Sequence, residues 1–118
     1  MKASIKEALS RLPGPATDKY PEGAPFVVQM TGADMSVEVY APKNQDLQQP
    51  HTQDELYFIH SGQGQLVING QCFAAAAGDA FFVAAGVAHR FENFSTDFVT
   101  WVVFYGPQKN QDMPLKSG

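Results

Sequence analysis

The feature that most constrains this chain is a series of short apolar segments between positions 25 and 106, each bounded by turn residues. Short strands separated by turn signals, with no helical period among them, are typical of an all-β sandwich or barrel. The pair Asn69-Gly70 separates two of these segments. A type I′ turn needs positive φ at both of its central residues, so this pair predicts a hairpin. The sequence therefore predicts an antiparallel β-barrel.

The same pattern predicts eight strands and one helix. The strands are expected at residues 26–30, 35–40, 55–61, 65–69, 71–74, 80–84, 89–94 and 98–105. A short helix is predicted over 4–12, because Ser4 and Glu7 have the spacing of a capping box and Pro13 stops the helix. A helix this short is marginal alone, so its apolar stripe is expected to dock on the barrel or on a second subunit.

Length and composition indicate one domain and exclude several classes of protein. The 118 residues suit a helix and loop at 1–24, a barrel at 25–106 and a polar tail at 107–118. The net charge is −4 and the eight Lys and Arg are scattered, which argues against nucleic acid. No secretory signal or membrane span is evident, so a cytoplasmic protein without a membrane partner is expected. The single cysteine, Cys72, is expected to be a small buried hydrophobe.

Two of the three histidines and one glutamate form a pattern that indicates a metal site. Glu55 is expected on the inward face of its strand with Tyr57, and His51 lies just before that strand. His89 begins another strand, whose inward face is expected to carry Asn93 as well. Two imidazoles and one carboxylate that converge from one side leave coordination positions open. This is the facial triad of non-haem iron(II) oxygenases, and it also matches some catalytic zinc sites.

Two segments of the chain resemble the motifs of the cupin superfamily, G-x5-H-x-H-x3,4-E-x6-G and G-x5-P-x-G-x2-H-x3-N. In the first segment, the second histidine, the glutamate and the closing glycine are matched by His51, Glu55 and Gly62. In the second segment, the matching residues are Gly78, Gly86, His89 and Asn93. The resemblance implies a single double-stranded β-helix, or jelly-roll barrel, with one divalent transition metal ion. Fe, Mn, Ni, Co and Zn all suit such a donor set.

The chain departs from the motifs at three positions. Lys43 stands where the leading glycine belongs, Gln49 replaces the first histidine and Ala84 replaces the proline. A neutral amide suits hard cations better than metals that prefer imidazole. Gln49 is therefore expected to hydrogen-bond water or substrate beside the metal, and the alternative is a weak fourth ligand.

The expected pocket is apolar and aromatic. Its candidate lining residues are Tyr57, Phe81, Phe82, Phe91, Trp101 and Phe104. Arg90, the only lysine or arginine between Gln49 and Asn93, should point away from the metal by alternation with His89. The strands around the metal thus offer no obvious cation for a phosphate. A small enolisable or aromatic substrate is expected rather than a sugar phosphate.

Three functions remain open at this point. The first is a metal-dependent oxygenase with Gln49 positioning the substrate, and the second is an isomerase or polyketide cyclase-like protein with Glu55 as the base. The third is a non-catalytic module that binds or senses a small molecule. His60 and Phe58 are expected on the outward face of their strand, and this apolar patch predicts a homodimer.

Overall fold

The computed structural model describes residues 1–109, so the positions 110–118 of the predicted tail lie outside the described residues. Within the described range the chain forms one helix, α1 (Ile5–Ser10), and eight strands. The strands are β1 (Phe26–Gly32), β2 (Met35–Tyr40), β3 (Asp54–Ser61), β4 (Gln63–Ile68), β5 (Gln71–Ala76), β6 (Ala80–Val83), β7 (His89–Glu92) and β8 (Val99–Tyr105). No helix in this range is long and apolar enough to cross a membrane.

The strands form two antiparallel sheets that enclose one main apolar core. The larger sheet has the order β1-β2-β8-β3-β6, and the smaller one has the order β5-β4-β7. Tyr57 of the larger sheet packs with Leu66 and Phe91 of the smaller sheet, and all three are almost fully buried. Two sheets packed face to face in this way confirm the predicted all-β jelly roll.

Two glycine positions show how the sequence sets the connections between strands. Asn69 and Gly70 have φ angles of 50° and 81°, and β4 pairs with β5 directly across them, which confirms the predicted hairpin. Gly62, between β3 and β4, has φ +78°, and a Cβ there would lie 2.7 Å from the Cα of Phe98. The chain can therefore pass from one sheet to the other here only with a residue that lacks a side chain.

Helix α1 docks on the outer face of the larger sheet. The Ser4 hydroxyl accepts a hydrogen bond from the N–H of Glu7, as expected for a helix cap. The Glu7 carboxylate pairs with Arg11 at 2.9 Å, so the reciprocal half of the predicted capping box is replaced by an ion pair along the helix. Ala8 is fully buried and packs in one cluster with Val39 of β2. The prediction that the apolar stripe packs on the barrel is thus confirmed.

The prediction that Cys72 is buried is wrong, because Cys72 is exposed. It lies on β5, the edge strand of the smaller sheet, opposite Val67. Its neighbour Phe73 lies opposite the buried Leu66 and so takes the inward position. Alternation along the strand then turns the cysteine outward.

The expected inward position of Asn93 is also wrong. Strand β7 ends at Glu92, and Asn93 has a left-handed φ of 51° that turns the chain out of the sheet. The exposed Asn93 amide donates to Gln65 Oε1 at 2.8 Å. Its side chain therefore supports the turn after β7 and takes no part in the site described below.

Candidate metal centre

Backbone contacts between the two motif segments bring the candidate ligands together. The carbonyl of His51 accepts a hydrogen bond from the N–H of Gly86 at 2.7 Å. Asp54 Oδ1 accepts another from the N–H of Ala85 at 2.9 Å. These two bonds hold the turn before β7 against the start of β3. Since His89 follows that turn directly, it is carried to the same end of the barrel as His51.

The three predicted ligands converge on one point. One nitrogen of each of His51 and His89 and one oxygen of Glu55 all lie within 4.8 Å of one another. His89 Nε2 lies 2.6 Å from Glu55 Oε1, and His51 Nδ1 lies 3.6 Å from Glu55 Oε2. Despite these short distances, His51 Nδ1, Glu55 Oε2 and His89 Nε2 are buried without a hydrogen-bond partner among the described residues. Buried polar atoms need partners, and one divalent cation between these atoms would satisfy all three.

The orientation of His89 is fixed by its other ring nitrogen. Nδ1 lies 2.8 Å from the carbonyl oxygen of Val87, which can only accept a hydrogen bond. Nδ1 must therefore carry a proton, and Nε2 is the nitrogen that faces Glu55. A backbone carbonyl behind a histidine in this way is the usual support of a metal-binding imidazole. The donor set thus fits a metal ion in its orientation as well as in its spacing.

The electrostatics of the site favour a charged carboxylate. Burial by itself would raise the pKa of Glu55, but the contacts with His51 and His89 lower it below its ordinary value. Burial would likewise lower the pKa of His89, and the adjacent Glu55 carboxylate raises it instead. The lowered pKa keeps the Glu55 carboxylate negatively charged, and a charged carboxylate beside two imidazoles is a donor set that suits a cation.

The site is open on one side. The side chains of Glu55 and His89 are each 1% exposed, whereas that of His51 is 26% exposed. The ring of Phe104 lies beside His51, with 4.9 Å between the ring centroids. Among the described residues, solvent therefore reaches the three ligands on the His51 side. An ion held by three protein atoms would keep its remaining coordination positions facing that opening.

A buried hydrogen-bond network, which the sequence pattern did not reveal, lies behind Glu55. The Tyr57 hydroxyl is 3.0 Å from Gln48 Oε1 and 3.3 Å from Glu55 Oε1. Gln48 Nε2 donates to Asp46 Oδ2 at 2.6 Å. Asp46 also accepts from the N–H of Phe91 at 2.8 Å. The network thus connects the loop before β3 with β7, the strand that carries His89.

A second carboxylate missed by the sequence analysis lies on the inward face of β2. Glu38 is opposite Val102 of β8, which is itself opposite Tyr57 of β3, so all three side chains share one face. Burial raises the pKa of Glu38, the charge of His51 lowers it and that of Glu55 raises it further. Its carboxylate forms no hydrogen bond or ion pair among the described residues. The apolar outward pair Val37 and Val39 is the signal in the sequence that could have placed Glu38 inside.

The predicted lining residues divide between the main core and the outer face of the larger sheet. Four of them belong to the main core or pack against it, namely Tyr57, Phe81, Phe91 and Phe104. Trp101 instead packs in the cluster under α1, and Phe82 is 52% exposed. The first four residues therefore lie on the inner side of the two sheets, whereas Trp101 and Phe82 lie on the outer face of the larger one.

Gln49 lines a cleft whose lining residues include none of His51, Glu55 and His89. It is half-buried in this cleft, which it shares with Arg90 and Glu92 on the outward side of β7. No hydrogen bond joins it to His51, Glu55 or His89 in the part of the chain described. Its predecessor in the sequence, Gln48, is the glutamine that reaches the network behind the site.

A larger cavity of about 680 Å³ lies elsewhere in the molecule. It is bounded by the segment 9–25 and by the start of β8, and its lining includes Lys19, Tyr20 and Phe98. It reaches Ser61 at the end of β3, whereas Glu55 lies at the beginning of the same strand. Six residues of extended strand span roughly 20 Å, so this cavity is separate from the candidate metal centre.

Comparison with known proteins defines the class to which this fold and site belong. Residues 36–105 match the family model for the cupin domain. This match covers more than half of the chain, so the protein belongs to the cupin family. The matched range contains the three candidate ligands, the strands β3 to β8 and the turn that brings the two motif segments together.

An uncharacterized protein of Streptomyces coelicolor is 41% identical to this chain over 76 residues, which cover 63% of this chain and 72% of the relative. Among solved structures, the DMSP lyase DddQ from Ruegeria pomeroyi superposes with a TM-score of 0.62 at 16% identity, over 78% of this chain and 50% of that one. A variant of Streptomyces PAC13 with uridine gives a TM-score of 0.61 at 14% identity, over 98% of this chain and 88% of that one. At these identities the two structures show a shared fold alone.

Proposed function

We propose that this protein is a metal-dependent cupin enzyme of the oxygenase type that acts on a small enolisable or aromatic molecule. The observation that carries the proposal is the set of three buried ligand atoms on His51, Glu55 and His89, which converge without partners and face solvent on one side. Two histidines and one carboxylate with open positions are the donor set of non-haem iron(II) oxygenases.

The residues around the centre have distinct roles in this proposal. His51, Glu55 and His89 hold one divalent ion of Fe, Mn, Ni, Co or Zn, which when bound would supply Lewis acidity and open coordination positions. The ring of Phe104 stands beside His51 at the opening, where it would orient a planar molecule and exclude water. Gln49, in the neighbouring cleft, is proposed to contact the part of the substrate that extends out of the site.

A metal-dependent isomerase or cyclase is the second candidate, and Glu38 is the observation that favours it. Glu55 is committed to the metal in this scheme, whereas Glu38 shares the inward face and has no protein partner among the described residues. A carboxylate whose pKa is raised by burial is suited to accept a proton from a carbon next to a carbonyl group. In this role Glu38 would replace Glu55 as the base.

Oxygen uptake distinguishes these candidates. Protein reconstituted anaerobically with Fe(II) is expected to consume O₂ when a β-diketone or a catechol is added, and His89→Ala is expected to lose this activity. An oxygen electrode measures the first reaction. Exchange of the substrate's enolisable hydrogen for deuterium without O₂ consumption, abolished by Glu38→Gln, would favour the isomerase or cyclase. Tight retention of the compound without any turnover would contradict both enzymes and indicate a binding module.

We further propose that the protein is a homodimer formed through the outer face of β3 and β6. Phe58 and Phe82 on this face are 44% and 52% exposed, and α1 packs on the neighbouring part of the sheet around Val39. Light scattering is expected to give twice the chain mass of 12.9 kDa. The double substitution Phe58→Ser and Phe82→Ser is expected to give the monomer mass, because it removes the apolar area that drives association. Met35→Ser, at an equally exposed position on β2, is the control; a wild-type monomer would contradict the proposal.

A further inference from the structure

Asp46 is a buried carboxylate that is surrounded by donors. It accepts hydrogen bonds from the Tyr40 hydroxyl at 2.5 Å, the Gln48 N–H at 3.0 Å, Gln48 Nε2 at 2.6 Å and the Phe91 N–H at 2.8 Å. An ionised carboxylate can only accept, and four donors saturate its two oxygens. Asp46 is 5% exposed, so water does not compete for these bonds. Its orientation is therefore fixed by the fold.

The fixed carboxylate determines which way the Gln48 amide points. Of the two amide atoms, only the nitrogen can donate to Asp46 Oδ2, so Nε2 occupies that side. The amide oxygen then faces the Tyr57 hydroxyl, where it acts as an acceptor at 3.0 Å. The reverse orientation would place two acceptors against each other on the Asp46 side, and on the other side it would make the Tyr57 hydroxyl an acceptor and leave its proton free for Glu55.

The Tyr57 hydroxyl carries one proton and lies near two possible hydrogen-bond acceptors. Gln48 Oε1 is 3.0 Å away and Glu55 Oε1 is 3.3 Å away. Tyr57 is fully buried, so no water can supply a third acceptor. The shorter contact and the fixed amide oxygen direct the proton towards Gln48. Glu55 Oε1 is consequently the weaker acceptor of this proton, so the charge of the carboxylate stays available to a cation at the point where the three ligands meet.

We propose that Gln48, anchored by Asp46, is a positioning residue that turns the Tyr57 proton away from Glu55 and so preserves the affinity of that carboxylate for a metal ion. This inference rests on the metal centre proposed above. A hydroxyl that donates to a carboxylate stabilises its unbound anion and makes it a poorer ligand. Residues that orient ligands from behind affect metal affinity by about 10–100-fold.

A double-mutant cycle with Co²⁺ as the probe tests this role. Gln48→Met keeps the length of the side chain and removes the amide acceptor. Of the two acceptors near the Tyr57 hydroxyl, Glu55 then remains to accept its hydrogen bond. The Co²⁺ dissociation constant is expected to rise about tenfold. In Tyr57→Phe there is no proton to redirect, so adding Gln48→Met to this variant is expected to change the dissociation constant by less than about threefold. The visible absorption of bound Co²⁺ gives the titration, and Gln63→Met, an exposed glutamine on β4, is the control.

The outcomes separate this inference from the metal centre itself. Wild-type protein that binds no Co²⁺ would overturn the proposed centre and the inference together. Wild-type binding with an unaltered Gln48→Met variant would overturn the inference alone. An equal loss of affinity in the Tyr57→Phe background would also overturn it, because Gln48 would then act without the tyrosine proton. Circular dichroism checks that each variant is folded. If Gln48→Met does not fold, Gln48→Asn replaces it, because the shorter side chain withdraws the amide by one methylene.

Discussion

Glu55→Gln is expected to abolish tight binding of a divalent metal ion. The substitution keeps the size and shape of the side chain but removes the only negative charge among the three converging ligands. Loss of a residue that merely orients a ligand costs about 10–100-fold in metal affinity, so loss of the charged ligand itself is expected to cost at least about 100-fold. Elemental analysis of protein purified without a histidine tag should find close to one metal ion per wild-type chain and almost none in the variant.

His60→Ala is the matched control for this experiment. His60 lies on the same strand as Glu55, but it is exposed and faces outward beside Phe58. It therefore tests whether the metal is held at the proposed centre or by any histidine of the chain. Metal content that survives in Glu55→Gln, or that falls equally in His60→Ala, would contradict the assignment. Wild-type protein that stays empty after exposure to Fe, Mn, Ni and Zn would rule out the metalloenzyme and favour the binding module.

The part of the site that could be predicted from the sequence depends on local spacing. Alternation along a strand has a period of two, so Glu55 and Tyr57 had to share a face once the strand was recognised. The hairpin at Asn69-Gly70 followed from its φ requirements in the same way. The family motifs then placed His51 and His89 near Glu55, and the structure shows how, through the backbone bonds of the turn around Gly86.

The network behind the site could not be predicted, because its residues come from a loop without periodicity. Asp46 and Gln48 lie before β3 in a segment where neither helical nor strand spacing assigns a direction to any side chain. Gln49 was chosen from the motif, whereas its neighbour is the glutamine that contacts Tyr57. A difference of one residue is enough to reverse the direction of a side chain. Only the folded loop distinguishes the two.

A similar one-residue effect separates Trp101 from Val102. Both lie on β8, but Val102 is opposite Tyr57 on the inner face while Trp101 is opposite Phe58 on the outer face. The strand itself was predicted correctly, yet its apolar residues occupy both faces because α1 covers the outer one. A strand buried on both sides has no polar alternation from which its inward face can be recognised.

Phe91→Ala is expected to lower the free energy of unfolding by about 3–5 kcal/mol, the usual cost of removing a fully buried ring. Phe91 is 1% exposed, and its ring centroid lies 4.9 Å from that of Tyr57 and 4.9 Å from that of Phe98. A domain of this size has a total stability of about 5–15 kcal/mol, so the loss is a large share of it. The melting temperature should fall by on the order of 15 °C, measured by circular dichroism without added metal.

Phe82→Ala is the control, because Phe82 is the same residue type on the outer face and is 52% exposed in one chain. Both variants are compared in the Phe58→Ser background, at a protein concentration at which light scattering gives the monomer mass, so the proposed dimer contact of Phe82 does not contribute. Little apolar area is buried there within one chain, so a loss of less than about 1 kcal/mol is expected. The comparison determines the role of Phe91, which the sequence pattern placed in the wall of a ligand pocket. A ring that lines an open pocket can be truncated at little cost in stability, whereas a ring packed between Tyr57 and Phe98 cannot. An equally small loss of unfolding free energy in both variants would indicate that Phe91 lines a pocket. It would contradict the packing of Phe91 in the core that supports β7 and His89.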